Sequence, residues 1–89
     1  MKVKNLTSNR TNQLVANQFE IIDDDGNVFF QSYNSVIVAL KDGKTYLDTD
    51  KWDCSKTTGK YRNQFLGETK KDTEAKIKSG EYILTDLNK

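Results

Sequence analysis

The sequence predicts an α+β domain, and three observations lead to this class. Two Asp-Gly pairs each lie between runs of β-branched and aromatic residues, which is typical of β-hairpin turns. Two segments after Trp52 carry residues that start and stop helices, and a further β-type run, EYILTDL, follows them. We therefore expect a four-stranded antiparallel meander, then two short helices and a C-terminal strand, with the helices on one sheet face. The domain should span residues 16–89, after a loosely ordered N-terminal arm over residues 1–15.

The N-terminal arm is polar, and its scattered apolar residues allow at most one short strand near Val3. β-type residues begin in ANQFEIID, the turn signal DDDGN follows, and VFFQSY supplies a return strand, so a first hairpin is predicted over residues 17–33. The β-type residues 36–38 and 45–47 flank Asp42-Gly43 in the same way and predict a second hairpin.

The first helix is expected between residues 58 and 66, with Gly67 as its C-terminal glycine. Three residues could cap its N-terminus: Ser55, Thr57 and Thr58. Gly59 costs roughly 1 kcal/mol in a helix interior, which favours a start at Thr58. The second helix should begin after the capping-box pattern at Thr69 and end at Gly80.

The composition narrows the chemistry that this chain can perform. It has 89 residues, no His and a single Cys, so it can form neither an intramolecular disulfide nor a Cys-based zinc site, and it lacks the commonest general base. The DDDGN turn departs from a calcium-binding loop, because Ile21 and Ser32 occupy two ligand positions. We expect Cys54 to be a buried structural thiol. The sequence thus predicts no enzymatic activity and no cofactor or metal site.

Charge is unevenly distributed, although the formal net charge is +1. Residues 19–50 carry seven acids against two lysines, whereas residues 51–71 carry six bases against two acids. A balance near zero argues against binding nucleic acid by bulk charge, but it allows a local basic face. No apolar run approaches the ~20 residues of a membrane span, and no signal-peptide core is present, so we expect a cytoplasmic protein without a membrane partner.

The segment KTTGKYRNQFLGE, residues 56–68, is the main candidate for partner binding. On a helix, Tyr61, Phe65 and Leu66 can dock against the sheet, which leaves a polar set facing outward: Lys56, Thr57, Lys60, Arg62, Asn63 and Gln64. Planar amide and guanidinium groups suit paired hydrogen bonds to carboxylates, phosphates or base edges. A recognition face that includes Tyr61 and an ordinary solvated helix face account equally well for this pattern.

The carboxylates of the first turn form a second candidate contact patch. They are adjacent in the sequence: Asp23, Asp24 and Asp25. Three neighbouring carboxylates can mimic the charge of phosphate groups on a partner's usual ligand. A solvated hairpin turn is the alternative interpretation.

Several segments resemble a family of small uncharacterised proteins of bacteriophages and other mobile genetic elements. The resemblance covers residues 15–88 and includes VANQFEI, FQSYNS, WDCSKTTGKYRNQFLGE and KIKSGEYILTDLN. Cys54 stands where that family commonly has Tyr. The resemblance implies a phage-type protein in the host cytoplasm and transfers no catalytic residue.

These observations give two main hypotheses for function. The first is a non-enzymatic interaction protein that binds a host protein, with a defence nuclease as the target in the manner of an anti-CRISPR protein. The alternative is a nucleic-acid-binding accessory protein that uses the basic helix over residues 55–71, with Tyr61 or Tyr33 stacking on bases. A structural protein of a virion is a third possibility.

Overall fold

A computed structural model describes residues 1–8 and 11–88, which form six strands and two helices. The strands of the meander are β1 (Lys2–Thr7), β2 (Leu14–Ile22), β3 (Val28–Ser32), β4 (Ser35–Lys41) and β5 (Lys44–Asp48). The helices α1 (Lys56–Leu66) and α2 (Lys70–Ser79) follow, and β6 (Tyr82–Thr85) is the last strand. The α+β class and the two-helix segment before the last strand are confirmed.

All strands belong to one sheet with the order β1-β2-β3-β4-β5-β6. The first five strands are antiparallel neighbours, whereas β6 runs parallel to β5. A parallel neighbour requires a crossover connection, and α1 and α2 supply it. The sheet has one antiparallel strand more than the predicted four-stranded meander. Residues 2–7, where the sequence allowed one short strand near Val3, form it, with Lys2 opposite Ile22 and Asn5 opposite Phe19. Strand formation thus begins within the arm predicted over residues 1–15, of which Asn9 and Arg10 lie outside the described residues.

The second hairpin turn shows why its sequence contains Asp-Gly. Asp42 and Gly43 both have positive φ, +52° and +74°, as a two-residue turn of type I′ requires. Glycine adopts this conformation without steric cost, and Asp is among the few other residues that tolerate it. The turn sets the register, so that Lys41 lies opposite Lys44 and Val38 opposite Leu47.

The core lies between one sheet face and the two helices. Phe30, Val38 and Leu47 are fully buried on this face, and the Phe30 ring stacks on Phe65 of α1 at a centroid distance of 5.6 Å. A bulge between β3 and β4 adds Ile37 to the same core. The shortest dimension of the molecule is 21 Å, which corresponds to one helix layer on one sheet layer.

The helix ends follow the capping residues of the sequence. The Ser55 hydroxyl accepts a hydrogen bond from the Thr58 amide, so α1 begins at Lys56, two residues before the predicted start. Gly67 ends α1 with φ of +71°, as predicted. Thr69 and Asp72 form the predicted capping box of α2.

Glu68 fixes the turn between the helices to α2 and β6. Its carboxylate accepts hydrogen bonds from the Thr73 hydroxyl (2.6 Å), Lys76 Nζ (2.7 Å) and the Tyr82 hydroxyl (2.7 Å). Burial alone raises the pKa of Glu68, but these bonds outweigh it and hold the pKa below its usual value. A carboxylate with three donors therefore holds the crossover segment in place.

Candidate partner-binding site

A groove with basic walls runs along the solvent side of α1 and has a volume of about 620 Å³. Lysine side chains rim it, and the turn before α1 and the first residue of α2 complete it. Its lining residues are Asp53, Ser55, Lys56, Gly59, Lys60, Arg62, Asn63 and Lys70. We call this site the basic groove.

Arg62 forms the floor of the basic groove rather than its rim. Its side chain is 1% exposed, so the expectation that it faces outward is wrong. One guanidinium nitrogen, Nη1, donates to the Trp52 carbonyl at 2.6 Å and to Asp53 Oδ1 at 3.2 Å, while Nη2 donates to Asn63 Oδ1 at 2.9 Å. The guanidinium also lies over the Trp52 ring, 5.1 Å from its centroid. Arg62 thus anchors the turn before α1, because its guanidinium donates hydrogen bonds to Trp52 and Asp53 in that turn as well as to Asn63.

Asp53 is the one acid that lines the groove among the described residues, and both of its oxygens are occupied. Oδ1 accepts from Arg62, and Oδ2 lies 2.7 Å from Lys70 Nζ. Burial raises the pKa of Asp53, but the hydrogen bonds from Lys70 and Arg62 and their positive charges lower it below the usual value. The carboxylate is therefore ionised at neutral pH, and the groove retains a net positive charge from its remaining cations.

Lys56 and Lys60 supply the free positive charge of the rim. Both side chains are exposed and lie one turn apart on α1. The ammonium of Lys60 lies 5.3 Å from the centroid of the Tyr61 ring, and neither lysine forms an ion pair with an acid in the described part of the chain. Their ammonium groups are therefore free to contact an anionic ligand.

Gly59 lies between the two rim lysines and keeps the floor of the groove open. A Cβ at this position would lie 3.7 Å from Arg62 Nη1 and Nη2 and from Asp53 Oδ1. Any side chain here would therefore cover the ion pair from the solvent side. Gly59 and Asp53 were absent from the predicted binding residues, whereas Lys70 belongs to the basic segment 55–71 predicted for the nucleic-acid alternative. For the groove floor, which was not predicted, the sequence signal is Gly59 itself, because a glycine inside a helix costs about 1 kcal/mol relative to alanine.

The other predicted residues of α1 are divided between the surface and the core. Thr57 is exposed, and Asn63 lines the groove while accepting from Arg62. Gln64 is half-buried and donates through Nε2 to the Thr7 carbonyl at 2.7 Å, which ties α1 to β1. Tyr61 is only 7% exposed and belongs to the hydrophobic core, so its ring cannot stack on a ligand without unpacking the helix.

The acidic turn lies at the end of the first hairpin and does not line the groove. Asp23 accepts hydrogen bonds from the backbone of Asp25 and Asn27 and from the Asn27 amide, and the bond from the Asn27 side chain is the main cause that lowers its pKa. Asp24 accepts from the amino group of Met1 at 2.6 Å, and Asp25 is exposed. Asp23 therefore serves the turn itself, and only Asp24 and Asp25 present carboxylates at the surface.

The expectation that Cys54 is a buried thiol is also wrong, since Cys54 is exposed.

The sheet face opposite the helices carries an apolar row that crosses all six strands. Residues directly opposite one another on neighbouring strands share a face. The pairing register joins one such residue from each strand: Val3, Ile21, Phe29, Ala39, Tyr46 and Ile83. Val3 is 57% exposed and Ile83 is 36% exposed at the two ends of the row. Both helices pack on the other face, and no element of the described chain covers this one, which we call the open face.

Comparisons with known proteins give a family and no activity. The profile of a family of unknown function, DUF8033, matches residues 1–82. No curated protein and no solved structure matches the chain. Among residues 1–8 and 11–88, no group of three or more Cys, Asp or Glu side chains is placed to hold a metal ion. The described helices are all too short and too polar to cross a bilayer.

Proposed function

Because the chain belongs to DUF8033, a family of unknown function, we propose its function from its own surface: it is a non-enzymatic binding protein that docks an acidic protein surface in the basic groove. The observation that supports this proposal most is the arrangement of charge in the groove. Lys56 and Lys60 project from the rim, while the buried Arg62 occupies both the Trp52 carbonyl and Asp53. An anionic partner therefore meets free cations on a floor that is already ordered, which reduces the ordering cost of binding.

The pairing of Asp53 with two cations supports an anionic ligand rather than a cationic one. A free carboxylate in the groove would repel an acidic partner, but Arg62 and Lys70 bind both oxygens of this one. Exposed lysine ammonium groups interact weakly with single carboxylates in water. A partner with several acidic side chains, which contacts both rim lysines at once, gains more, and its association rate rises through electrostatic steering.

A nucleic-acid partner is the second candidate, and the exposed lysines of residues 55–71 favour it. Single-strand binding relies on aromatic rings that stack on bases; of the two rings expected to do so, Tyr61 lies in the core, whereas Tyr33 is 53% exposed and is the one available for stacking. Binding through phosphates alone would leave a strong salt dependence as its signature.

The narrower hypothesis names the partner and the compartment. In it, the chain acts in the cytoplasm of a bacterial host and inhibits a defence nuclease in the manner of an anti-CRISPR protein. The support for it is the sequence resemblance to phage-type proteins, together with a basic groove that suits an acidic protein surface.

Affinity capture from a bacterial lysate tests the proposal, with charge reversal in the groove as the comparison. The bait variant is Lys56→Glu/Lys60→Glu, and the matched control is Lys78→Glu, an exposed lysine of α2 outside the groove. A true partner should be retained by the wild type and the control and lost with the double variant. A set of captured proteins that is the same for all three baits would contradict the proposal.

Defined probes separate the two candidate partners. Fluorescence anisotropy with a Glu-rich and Asp-rich peptide, with a single-stranded oligonucleotide and with a duplex should show the tightest binding to the peptide. Preferential binding of an oligonucleotide, with an affinity that falls steeply with salt, would favour the nucleic-acid function instead.

A further inference from the structure

We propose that Lys70 is a third partner contact of the basic groove, and that Asp53 masks it until an acidic partner binds. This role rests on the proposed function, because the occupant of the groove is taken to be an acidic protein surface. In the free protein the Lys70 ammonium lies 2.7 Å from Asp53 Oδ2, and it forms no other ion pair with an acid of the described chain. A partner carboxylate that competes with Oδ2 gains a cation that the free protein does not offer.

The two sides of this ion pair differ in how firmly they are held. Asp53 Oδ1 accepts from Arg62 Nη1 at 3.2 Å, and Arg62 is itself 1% exposed and bonded to the Trp52 carbonyl. The Lys70 side chain, in contrast, is 51% exposed. A lysine ammonium is a point charge on a flexible aliphatic stem, so it can turn from Asp53 to a ligand while the helix stays in place. The bond between Arg62 and Asp53 is therefore the fixed part of the groove floor, and the contact with Lys70 is the exchangeable part.

The position of Lys70 at the start of α2 is not explained by helix stability. Lys70 is the first residue of this helix, where the macrodipole favours negative charge and disfavours a cation. The capping box of Thr69 and Asp72 completes the helix start without it. An ion pair between partly exposed side chains also contributes little to stability. Folding thus does not require a lysine here, whereas contact with an acidic partner does require a cation.

Lys70 reaches the groove from a different helix than the rim lysines. Lys56 and Lys60 project from α1, whereas Lys70 comes from the start of α2, and all three line the same groove. A partner segment that lies in the groove therefore meets cations from both helices. Contact with all of them needs several acidic side chains on one segment, which is a narrower class of partner than a surface with one carboxylate.

Masking by Asp53 makes the groove selective for such a segment. Asp53 belongs to the same chain as Lys70, so its effective concentration at the ammonium is on the order of millimolar or more, and a single carboxylate in solution competes poorly with it. A partner that Lys56 and Lys60 already hold presents its next acid at Lys70 in an intramolecular step and can compete. Specific recognition often combines attractive contacts with an element that penalises the wrong partner, and Asp53 supplies that element.

Asp53→Asn removes the mask and tests the proposal. Asparagine keeps an oxygen for the bond to Arg62 and loses the charge that holds Lys70. Fluorescence anisotropy with the Glu-rich and Asp-rich peptide, at low ionic strength, should show an affinity about two- to fivefold higher than that of the wild type, as expected for one exposed ion pair. Asp42→Asn is the matched control, because it changes the net charge equally, lies at the turn between β4 and β5 outside the groove, and asparagine tolerates its φ of +52°. The control should bind as the wild type does.

Addition of Lys70→Gln to the Asp53→Asn protein identifies the source of the gain. The double variant should lose the gain and bind about as tightly as the wild type, since the unmasked cation is gone. A gain that persists in the double variant would come from the lost charge of Asp53 alone and would overturn the proposal. An Asp53→Asn protein whose affinity for the peptide is unchanged or lower would also overturn it.

Side-chain NMR of the wild type gives a readout that needs no variant. Lysine ammonium signals should shift at Lys56, Lys60 and Lys70 when the peptide is added, whereas Lys78, exposed on α2 outside the groove, should not shift. Shifts confined to Lys56 and Lys60 would contradict a role for Lys70, even for an Asp53→Asn protein that circular dichroism shows to be unfolded.

The same measurements separate the masked contact from the proposed function. Peptide binding that depends on Lys56 and Lys60 but not on Lys70 would leave the proposed function standing and remove only the masked contact. Binding that Lys56→Glu/Lys60→Glu does not change would contradict the proposed function, and the masked contact would fall with it. A gain in Asp53→Asn that is seen with an oligonucleotide and not with the peptide would overturn the proposal as well, because Lys70 would then serve a phosphate-bearing partner.

Discussion

Gly59 lies in the interior of α1 without the positive φ that favours glycine, so alanine at this position should stabilise the protein. Alanine is more favourable than glycine in a helix interior by about 0.8–1.0 kcal/mol. The new Cβ would meet Arg62 and Asp53 at 3.7 Å, an ordinary van der Waals distance, so no strain offsets this gain. We expect the free energy of unfolding of Gly59→Ala to rise by about 1 kcal/mol and the midpoint of thermal unfolding to rise by about 4–8 °C.

Thermal and urea unfolding followed by circular dichroism measure this change. Gly67→Ala is the matched control, because the same substitution is made at a residue with φ of +71°, where alanine is strained and should destabilise by about 1 kcal/mol. If Gly59→Ala is neutral or destabilising, the helix geometry described for the groove floor is refuted. The same variant should weaken partner binding by covering the ion pair, so stability and binding should change in opposite directions.

Three further substitutions have definite expectations. Arg62→Lys should lower the free energy of unfolding, measured in urea, by about 2 kcal/mol, because an ammonium cannot reach all three acceptors of the guanidinium. Lys60→Arg, the control, should change the free energy of unfolding by less than about 0.5 kcal/mol. The pKa of Glu68 is lower in the folded than in the unfolded chain, so its carboxylate stabilises the fold fully above the unfolded pKa of about 4.3. This contribution is lost as the pH falls through the lowered folded pKa. In Glu68→Gln, the free energy of unfolding, measured from pH 7 to pH 2, should therefore depend less on pH. Gln18 is fully buried, and its amide has no hydrogen-bond partner among the described residues. Gln18→Met should therefore raise the free energy of unfolding by about 1 kcal/mol and raise the melting temperature. A loss of stability would show that the amide is hydrogen-bonded.

Local chemistry made most of the fold predictable. Asp42-Gly43 has the turn chemistry of a two-residue hairpin, and Thr69 with Asp72 has that of a helix start, so each element follows from adjacent residues. The strand β1 is different, because its residues are largely polar and exposed at the sheet edge, and only pairing with β2 makes it a strand. Such pairing joins residues that lie between 7 and 20 positions apart, so the pattern of residues 2–7 alone does not show it.

The site was only partly predictable for a similar reason. Exposure of Lys56 and Lys60 follows from helical periodicity, and the structure agrees. Arginine is seldom fully buried, so the position of Arg62 in the interior could not be expected without the Trp52 carbonyl and Asp53, which the preceding turn brings to it. The open face was missed because alternating apolar residues show that a strand has two faces, but they do not show which face the helices leave uncovered.

The last residues of the described chain tie back to strands made much earlier in synthesis. Asn88 donates to the Val36 carbonyl at 3.0 Å and accepts from its amide at 2.7 Å, and the Leu87 amide donates to Asp48 at 2.8 Å. On a ribosome, the hairpins and helices would therefore emerge before the residues that close the sheet. Until then β5 has an unpaired edge, which is a template for pairing with other nascent chains. A truncated chain that ends at residue 81 should accordingly aggregate during synthesis, even though both hairpins and both helices are retained.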